Sequence, residues 1–128
     1  MKKLILIIVL FIPFFTLFSQ SSKILFENSE HNFGDINEKD GKVSHKFSFK
    51  NDGDQPLLIL SVKPSCGCTT PNWSKNPINP GDEGFIIAEY NPKGRPGIFR
   101  KSLNVLTNQS IKDKPNNIYI YIKGKVLR

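Results

Sequence analysis

The sequence predicts an all-β fold, an antiparallel sandwich of about seven short strands. Apolar and polar residues alternate with a period of two over most of the chain, and clusters of Pro, Gly, Asn and Asp separate the alternating stretches. After the first 19 residues, no segment carries an apolar stripe with the 3.6-residue period of a helix. The alternation and the missing stripe together indicate strands joined by turns.

The N-terminal segment, residues 1–19, is typical of a secretory signal peptide. Lys2 and Lys3 precede an apolar run from Leu4 to Phe18, and Ser19 is a suitable cleavage point. The alternative is an uncleaved membrane anchor. The run is shorter than the ~20 residues that span a bilayer, which favours the signal peptide. We therefore expect an exported protein, periplasmic or extracellular at the cell surface, with no stable membrane span after signal cleavage.

Cleavage would leave residues 20–128 as a single domain. These 109 residues are enough for one hydrophobic core, and without Lys2 and Lys3 the formal net charge of +7 falls to +5. A basic surplus suits nucleic acid, but an exported protein rarely meets any, so we expect no nucleic-acid partner. Solubility, or attraction to an anionic envelope surface, is the expected use of this charge.

The alternation places the strands in order along the chain. Strands are expected over residues 23–27, 33–36, 41–51, a segment ended by Pro64, 85–90, 98–107 and 118–127. The stretch SCGCTTPNWSKNPINPGDEG is expected to be irregular. Residues expected on inner faces are Val43, His45, Phe47, Phe49, Leu58, Leu60, Val62, Phe99, Leu103, Val105, Ile118, Ile120, Ile122 and Val126. This number of short strands is typical of an immunoglobulin-like sandwich, with an open barrel as the alternative.

Patterns of known catalytic sites are missing from the sequence. It contains no GxSxG elbow, HExxH helix, phosphate-binding loop or dinucleotide fingerprint. Two acidic pairs, Asp52 with Asp54 and Asp82 with Glu83, fall where turns favour Asp beside Gly. Neither histidine lies beside a recognisable nucleophile. We therefore expect no enzyme activity and no cofactor.

The main site candidates are Cys66 and Cys68, separated by Gly67. Residues i and i+2 of an extended chain share a face, and Gly67 can kink the chain to bring the two Cα atoms within the ~6.8 Å that a disulfide needs. Such a bond would be strained, easily reduced and of little benefit to stability, because it closes a very small loop. A local disulfide is the preferred state, followed by a metal site and by free buried thiols.

In the metal hypothesis, Cys66 and Cys68 hold Cu(I) together with His45. A simple hairpin register, however, places His45 opposite about Val62 and leaves it ~13 Å from Cys66. In a redox role, Lys63 and Lys75 would stabilise a thiolate at the motif. The sequence assigns no role to His31.

Three aromatic residues are candidates for an interaction surface. Trp73 follows the cysteine motif and is expected to cap the open end of the core, whereas Tyr119 and Tyr121 face outward on the last strand. Tryptophan and tyrosine are frequent at the centres of protein interfaces.

The order of motifs resembles the bacterial domain-of-unknown-function family numbered 1573. The motifs are HNFGDI, then GKVSHKFSFKNDGDQPLLILSVKPSCGCTTPNW, then NPINPGDEGFIIAEYNPKGRPGIFRKSLNVLTN, and the closing YIKGKV. The resemblance covers nearly the whole of the region after the signal peptide. It implies a secreted bacterial protein related to Hydin-type and PapD-type immunoglobulin-like domains, and it implies no established activity.

From the residues and the resemblance we expect an exported, non-enzymatic binding or scaffolding module of the bacterial cell envelope. Its partner would be an unknown protein or envelope component, held by edge strands and the cysteine loop. The alternative is a thiol redox or copper-binding protein that uses the Cys66-Gly67-Cys68 motif.

Overall fold

The structure, a computed structural model, describes Pro13, residues 21–111 and residues 118–128. The predicted signal peptide and residues 112–117 lie outside this part, apart from Pro13. Eight strands are described: β1 (Ile24–Phe26), β2 (Glu30–Asn37), β3 (Val43–Asn51), β4 (Ile59–Pro64), β5 (Thr69–Trp73), β6 (Glu83–Tyr90), β7 (Gly97–Thr107) and β8 (Ile118–Leu127). The only helical segments described are the 3₁₀ turns Glu38–Asp40 and Asn108–Ile111. Among the described residues, no helix has the length and apolar character to cross a membrane.

The strands form two four-stranded sheets that pack into a sandwich. The first sheet has the order β1-β3-β6-β5, and the second has the order β2-β8-β7-β4. Neighbouring strands are antiparallel except for β2 and β8, which are parallel. The predicted all-β sandwich is confirmed, with eight strands instead of about seven.

Strand β5 lies within the stretch SCGCTTPNWSKNPINPGDEG, which was expected to be irregular, so that expectation was wrong. Pro71 lies in the middle of the strand, where it is paired with Ala88. Proline cannot donate a backbone hydrogen bond, and it is tolerated here because β5 is the edge strand of its sheet. A strand therefore forms here although the Pro-rich and Asn-rich composition of the stretch indicates a loop.

The hairpin register assumed for β3 and β4 was also wrong. These two strands belong to different sheets, and His45 lies opposite Ala88 of β6 instead of near Val62. The chain between β3 and β4 therefore crosses from one sheet to the other.

The core lies between the sheets and is built from the inner faces of five strands, β3, β4, β6, β7 and β8, and the loops beside them. Its buried apolar residues are Phe47, Phe49, Leu57, Ile59, Val62, Cys68, Ile78, Ile86, Ala88, Tyr90, Phe99, Leu103, Val105, Ile120, Ile122 and Val126. Alternation predicted the inner faces of β3, β7 and β8 correctly.

The inner face of β4 departs from the simple alternation. Leu60 is exposed and Leu58 is only partly buried, whereas Leu57 and Ile59 are buried. An irregularity in the β4–β7 pairing between Ile59 and Ser61 shifts the alternation by one residue. The inward placement predicted for Leu58 and Leu60 was therefore wrong, and that of Val62 is confirmed.

Asn51, at the end of β3, connects three loops through hydrogen bonds of its side chain. Its side chain is fully buried and makes four hydrogen bonds, donating to the carbonyls of Gln55 (2.7 Å) and Ile78 (2.9 Å) and accepting from the amides of Gly53 (3.0 Å) and Lys23 (3.3 Å). The whole hydrogen-bonding capacity of the amide is used, so this buried polar group stabilises the fold.

Candidate functional site

The outer surface of the second sheet carries the two predicted tyrosines. Register places Tyr121 between Glu30 of β2 and Ser102 of β7, and it places Tyr119 beside Asn104. All these side chains point away from the core, because they alternate with buried residues such as Ile120 and Ile122. We call this surface the tyrosine face; it consists of Glu30, Ile98, Arg100, Asn104, Leu106, Tyr119, Tyr121 and Lys123.

Charged groups order the centre of the tyrosine face. The guanidinium carbon of Arg100 lies 4.0 Å from the centre of the Tyr121 ring, a cation–π contact. The Glu30 carboxylate accepts a hydrogen bond from Lys123 at 2.8 Å and lies 3.5 Å from Arg100. The hydrogen bond from Lys123 holds the pKa of Glu30 below its ordinary value of 4.5, and the charges of Lys123 and Arg100 act in the same direction. Tyr121 is therefore held in a defined position.

Large apolar side chains surround this centre and remain in contact with solvent. Tyr119 is 42% exposed, Leu106 37% and Ile98 86%. The rings of Tyr119 and Tyr121 are 6.4 Å apart and inclined by 30°. The combination of aromatic and aliphatic groups with an oriented arginine is typical of protein interfaces.

Trp73 lies elsewhere, in the first sheet. It is paired with the buried Ile86, faces inward and packs against the core. The Lys75 ammonium lies 3.1 Å from the centre of its ring. The structure therefore does not bring Trp73 together with Tyr119 and Tyr121.

The cysteine motif forms a tight turn where the chain passes from β4 in the second sheet to β5 in the first. The Cα atoms of Cys66 and Cys68 are 5.3 Å apart, and their sulfur atoms are joined. The Thr69 amide donates to the Cys66 carbonyl at 3.4 Å, which closes the turn. Gly67 has neither a left-handed φ nor an atom close to its missing side chain, so the special backbone freedom expected of it is not used.

The two cysteines differ in exposure and in hydrogen bonding. Cys68 is 3% exposed and belongs to the core, whereas Cys66 is only partly buried. The Cys68 amide donates a hydrogen bond to the Cys66 sulfur at 3.1 Å. The Cys68 sulfur lies 3.8 Å from the Thr69 hydroxyl. Cys66 is therefore the more exposed of the two residues.

The side chains of Lys63 and Lys75, expected near the motif, are directed elsewhere. Lys75 covers Trp73, and Lys63 pairs with Asn104 on the outer side of the second sheet. Lys101 of β7 is closer to the cysteine motif in register. The β4–β7 ladder pairs Pro64 with Leu103, and it continues through a hydrogen bond that the Ser65 amide donates to the Ser102 carbonyl at 2.9 Å. Lys101 is the next residue of β7 after Ser102 toward its N-terminus, and it is half-buried. Its sequence signal was a charged residue at an inward position, between Phe99 and Leu103.

The structure does not bring His45 to the cysteines. His45 lies opposite Ala88 of β6, which lies opposite Pro71 of β5. Two strand spacings, together roughly 10 Å, therefore separate His45 from β5. In the part of the chain that the structure describes, no three His, Cys, Asp or Glu side chains are grouped closely enough to hold a metal ion.

His45 instead stacks on His31, which lies on β2 of the opposite sheet. The ring centres are 3.6 Å apart and the planes differ by 3°. Phe33 and Phe47 each lie edge-on to one histidine at 4.7 Å. Burial lowers the pKa of His45 below 6.5, and the neighbouring charge of His31 lowers it further. No local pattern in the sequence predicts this pair, because it depends on how the two sheets pack.

Comparison with known sequences identifies a family match and no curated relative. A family model described as "Protein of unknown function (DUF1573)" matches residues 24–126. No curated protein matches the chain.

Solved structures with the same sandwich come from several sources. A protein of unknown function from Porphyromonas gingivalis is 15% identical with a TM-score of 0.67, over 83% of this chain and 47% of that one. The seventh PapD-like (ASH) domain of human CEP192 is 13% identical with a TM-score of 0.59, over 84% of this chain and 87% of that one. The Escherichia coli chaperone DraB is 11% identical with a TM-score of 0.56, over 84% of this chain and 56% of that one.

These likenesses extend to the fold alone, because all three identities are low. They identify the sandwich as PapD-like and immunoglobulin-like. The chain spans about half the length of the Porphyromonas gingivalis protein.

Proposed function

The chain belongs to the DUF1573 family, and we propose that it is a non-enzymatic binding module of the bacterial cell envelope. The proposed partner is another envelope protein, and the proposed contact surface is the tyrosine face. Export through the signal peptide at residues 1–19 is part of this proposal.

The tyrosine face is the observation that carries the proposal. It combines exposed Tyr119 and Leu106 with a Tyr121 ring held by Arg100. Interfaces are enriched in tyrosine and arginine at their centres, and pre-ordered side chains lose little conformational entropy on binding. Exposed apolar patches rimmed by polar groups are typical of protein interaction sites.

The sheet edges are a secondary part of the proposed interface. Strand β4 is an edge of the second sheet, next to β7, and its Leu60 side chain is exposed. An exposed edge can add a strand from a partner through backbone hydrogen bonds. A partner on the tyrosine face could therefore extend over β4 as well.

The proposal can be tested by capture of partners from an envelope fraction on the immobilised protein. The test variant is Tyr119→Ala with Tyr121→Ala, and the matched control is Phe85→Ala. Phe85 also lies under a cation on an outer face, that of Lys46 at 5.2 Å, but in the first sheet. A partner retained by the parent and the control and lost by the tyrosine variant supports the proposal. Equal retention by all three proteins contradicts it.

A further inference from the structure

We propose that the Cys66–Cys68 turn is a thiol–disulfide exchange site, with Cys66 as the sulfur that partners attack and Cys68 as the resolving sulfur. The proposal goes beyond the binding function and does not depend on it. The co-reactant is a dithiol or a pair of monothiols, the class to which glutathione and reduced redox proteins belong.

Accessibility assigns the two roles. Exchange requires a partner sulfur to approach one sulfur of the disulfide from outside. Cys68 is 3% exposed and packs within the core, whereas Cys66 is partly exposed on the turn. A partner can therefore reach Cys66, and Cys68 is the leaving group.

A backbone amide is directed at the Cys66 sulfur. The Cys68 amide donates to the Cys66 sulfur at 3.1 Å, a bond that strengthens when the sulfur is negatively charged. The Ser65 amide beside the motif is bonded to the carbonyl of Ser102, and the ammonium-bearing Lys101 is the neighbour of Ser102 on β7. Nearby cations and amide donors are the usual means by which proteins activate a cysteine.

The exchange is balanced in atoms and electrons. A partner thiolate attacks the Cys66 sulfur, the bond between the two cysteines breaks, and its electron pair leaves on Cys68 as a thiolate. A second partner thiol then attacks the partner sulfur of this mixed disulfide and releases Cys66 as a thiolate. The partner dithiol is oxidised to a disulfide, and its two protons end on Cys66 and Cys68. In the reverse direction, the reduced motif reduces a partner disulfide.

The fold is suited to cycling between the two states, because the turn does not depend on the sulfur–sulfur bond. The Ser65 amide is bonded to the Ser102 carbonyl at 2.9 Å, and the Asn91 amide is bonded to the Cys68 carbonyl at 2.9 Å. A disulfide that closes so short a loop also restricts the unfolded chain very little. Reduction therefore leaves β4 and β5 in place.

The first test is equilibration of the oxidised protein in glutathione buffers, followed by alkylation in denaturant and measurement of intact mass. We expect a gradual transition from no alkyl groups to two, with one glutathione adduct on the way and unchanged circular dichroism. A protein that stays oxidised in glutathione alone while folded would overturn the proposal. So would a reduced protein whose native mass carries a stoichiometric copper ion.

The second test separates the roles of the two sulfurs. Cys68→Ala retains Cys66 and Cys66→Ala retains Cys68, and both variants are treated with a chromogenic aromatic disulfide. In the folded state we expect Cys66 to react at least about tenfold faster than Cys68, since only a partly exposed, activated thiol reacts readily. Rates in denaturant give the reference for each variant. Folded-state rates within about twofold of each other contradict the assignment of roles.

Lys101 has a matched control in Lys63, which is exposed on the outer side of the second sheet. In the Cys68→Ala background, Lys101→Met is expected to slow the reaction of Cys66 by about threefold or more, because a positive charge on this part of β7 favours a thiolate at the turn. Lys63→Met is expected to leave the rate unchanged. Equal rates for the two lysine variants would show that Lys101 does not activate Cys66.

Discussion

The imidazole rings of His31 and His45 lie face to face across the two sheets, with their centres 3.6 Å apart. Two stacked imidazoles can be neutral together, but two imidazolium ions at this distance repel each other. The contact therefore makes the packing of β2 against β3 sensitive to protonation.

The free energy of unfolding is expected to fall as the pH drops below about 6.5. Burial lowers the pKa of His45 in the folded state, and the charge of His31 lowers it further. Below pH 6.5 the unfolded chain binds the proton more readily than the folded chain, so stability is complete above this value and is lost toward the lower folded-state pKa. Urea denaturation between pH 8 and about 5 measures the effect.

The control for this pH dependence is His45→Phe, which keeps an aromatic ring against His31 but cannot be protonated. We expect a smaller loss of stability over the same pH interval. An unchanged pH profile in His45→Phe would show that other groups cause the dependence.

Asn51→Ala is expected to destabilise the protein by about 3 kcal/mol or more, because four hydrogen bonds of a fully buried side chain are lost and their backbone partners are left unpaired. The free energy of unfolding from chemical denaturation measures this change. Asn37→Ala, which removes an exposed bond to Asp40, is the control and is expected to change stability by less than about 0.5 kcal/mol. Similar losses in both variants would contradict the role given to Asn51.

Gly124→Ala is expected to cost about 2 kcal/mol, whereas Gly67→Ala is expected to have little effect. A Cβ atom at position 124 would lie 2.9 Å from the Phe99 ring and from the Gly34 carbonyl oxygen, but at position 67 it would meet nothing within 4 Å. Thermal unfolding of the two variants checks the prediction. A stable Gly124→Ala variant would contradict the close packing of Phe99 on this strand.

Replacement of both cysteines by alanine is expected to lower the free energy of unfolding by only about 1–2 kcal/mol, since the loop between them is minimal. The loss of the buried Cys68 sulfur is included in this figure. Chemical denaturation of the double variant and of the oxidised parent provides the comparison. A loss of folding would instead identify the bond as an essential structural element.

Local patterns in the sequence predicted the elements whose burial follows from alternation. Strands β3, β7 and β8 have uninterrupted alternation, and the apolar residues expected on their inner faces are buried or partly buried. Strand β5 was missed because an edge strand tolerates Pro71, which composition assigns to a loop. The predicted inner face of β4 was wrong by one residue, because the irregularity arises in the pairing with β7. No residue pattern within β4 indicates it.

The candidate sites were predicted less completely, since they depend on contacts between distant segments. The outward direction of Tyr119 and Tyr121 followed from alternation, but the positions of Arg100 and Glu30 beside Tyr121 depend on the order of strands in the second sheet. The pairing of His31 with His45 depends on how the sheets face each other. Lys101 could have been noticed as a charge on an inward-facing position of β7.

The most direct test of the proposed function is the affinity of the purified envelope partner for the parent protein and for Tyr119→Ala with Tyr121→Ala, measured by isothermal titration calorimetry. We expect a Kd at least about 30-fold larger for the tyrosine variant, because two residues at the centre of the interface are lost. The Kd of Phe85→Ala is expected to be unchanged. An unchanged Kd for the tyrosine variant, with its fold intact by circular dichroism, would show that the tyrosine face is not the binding surface.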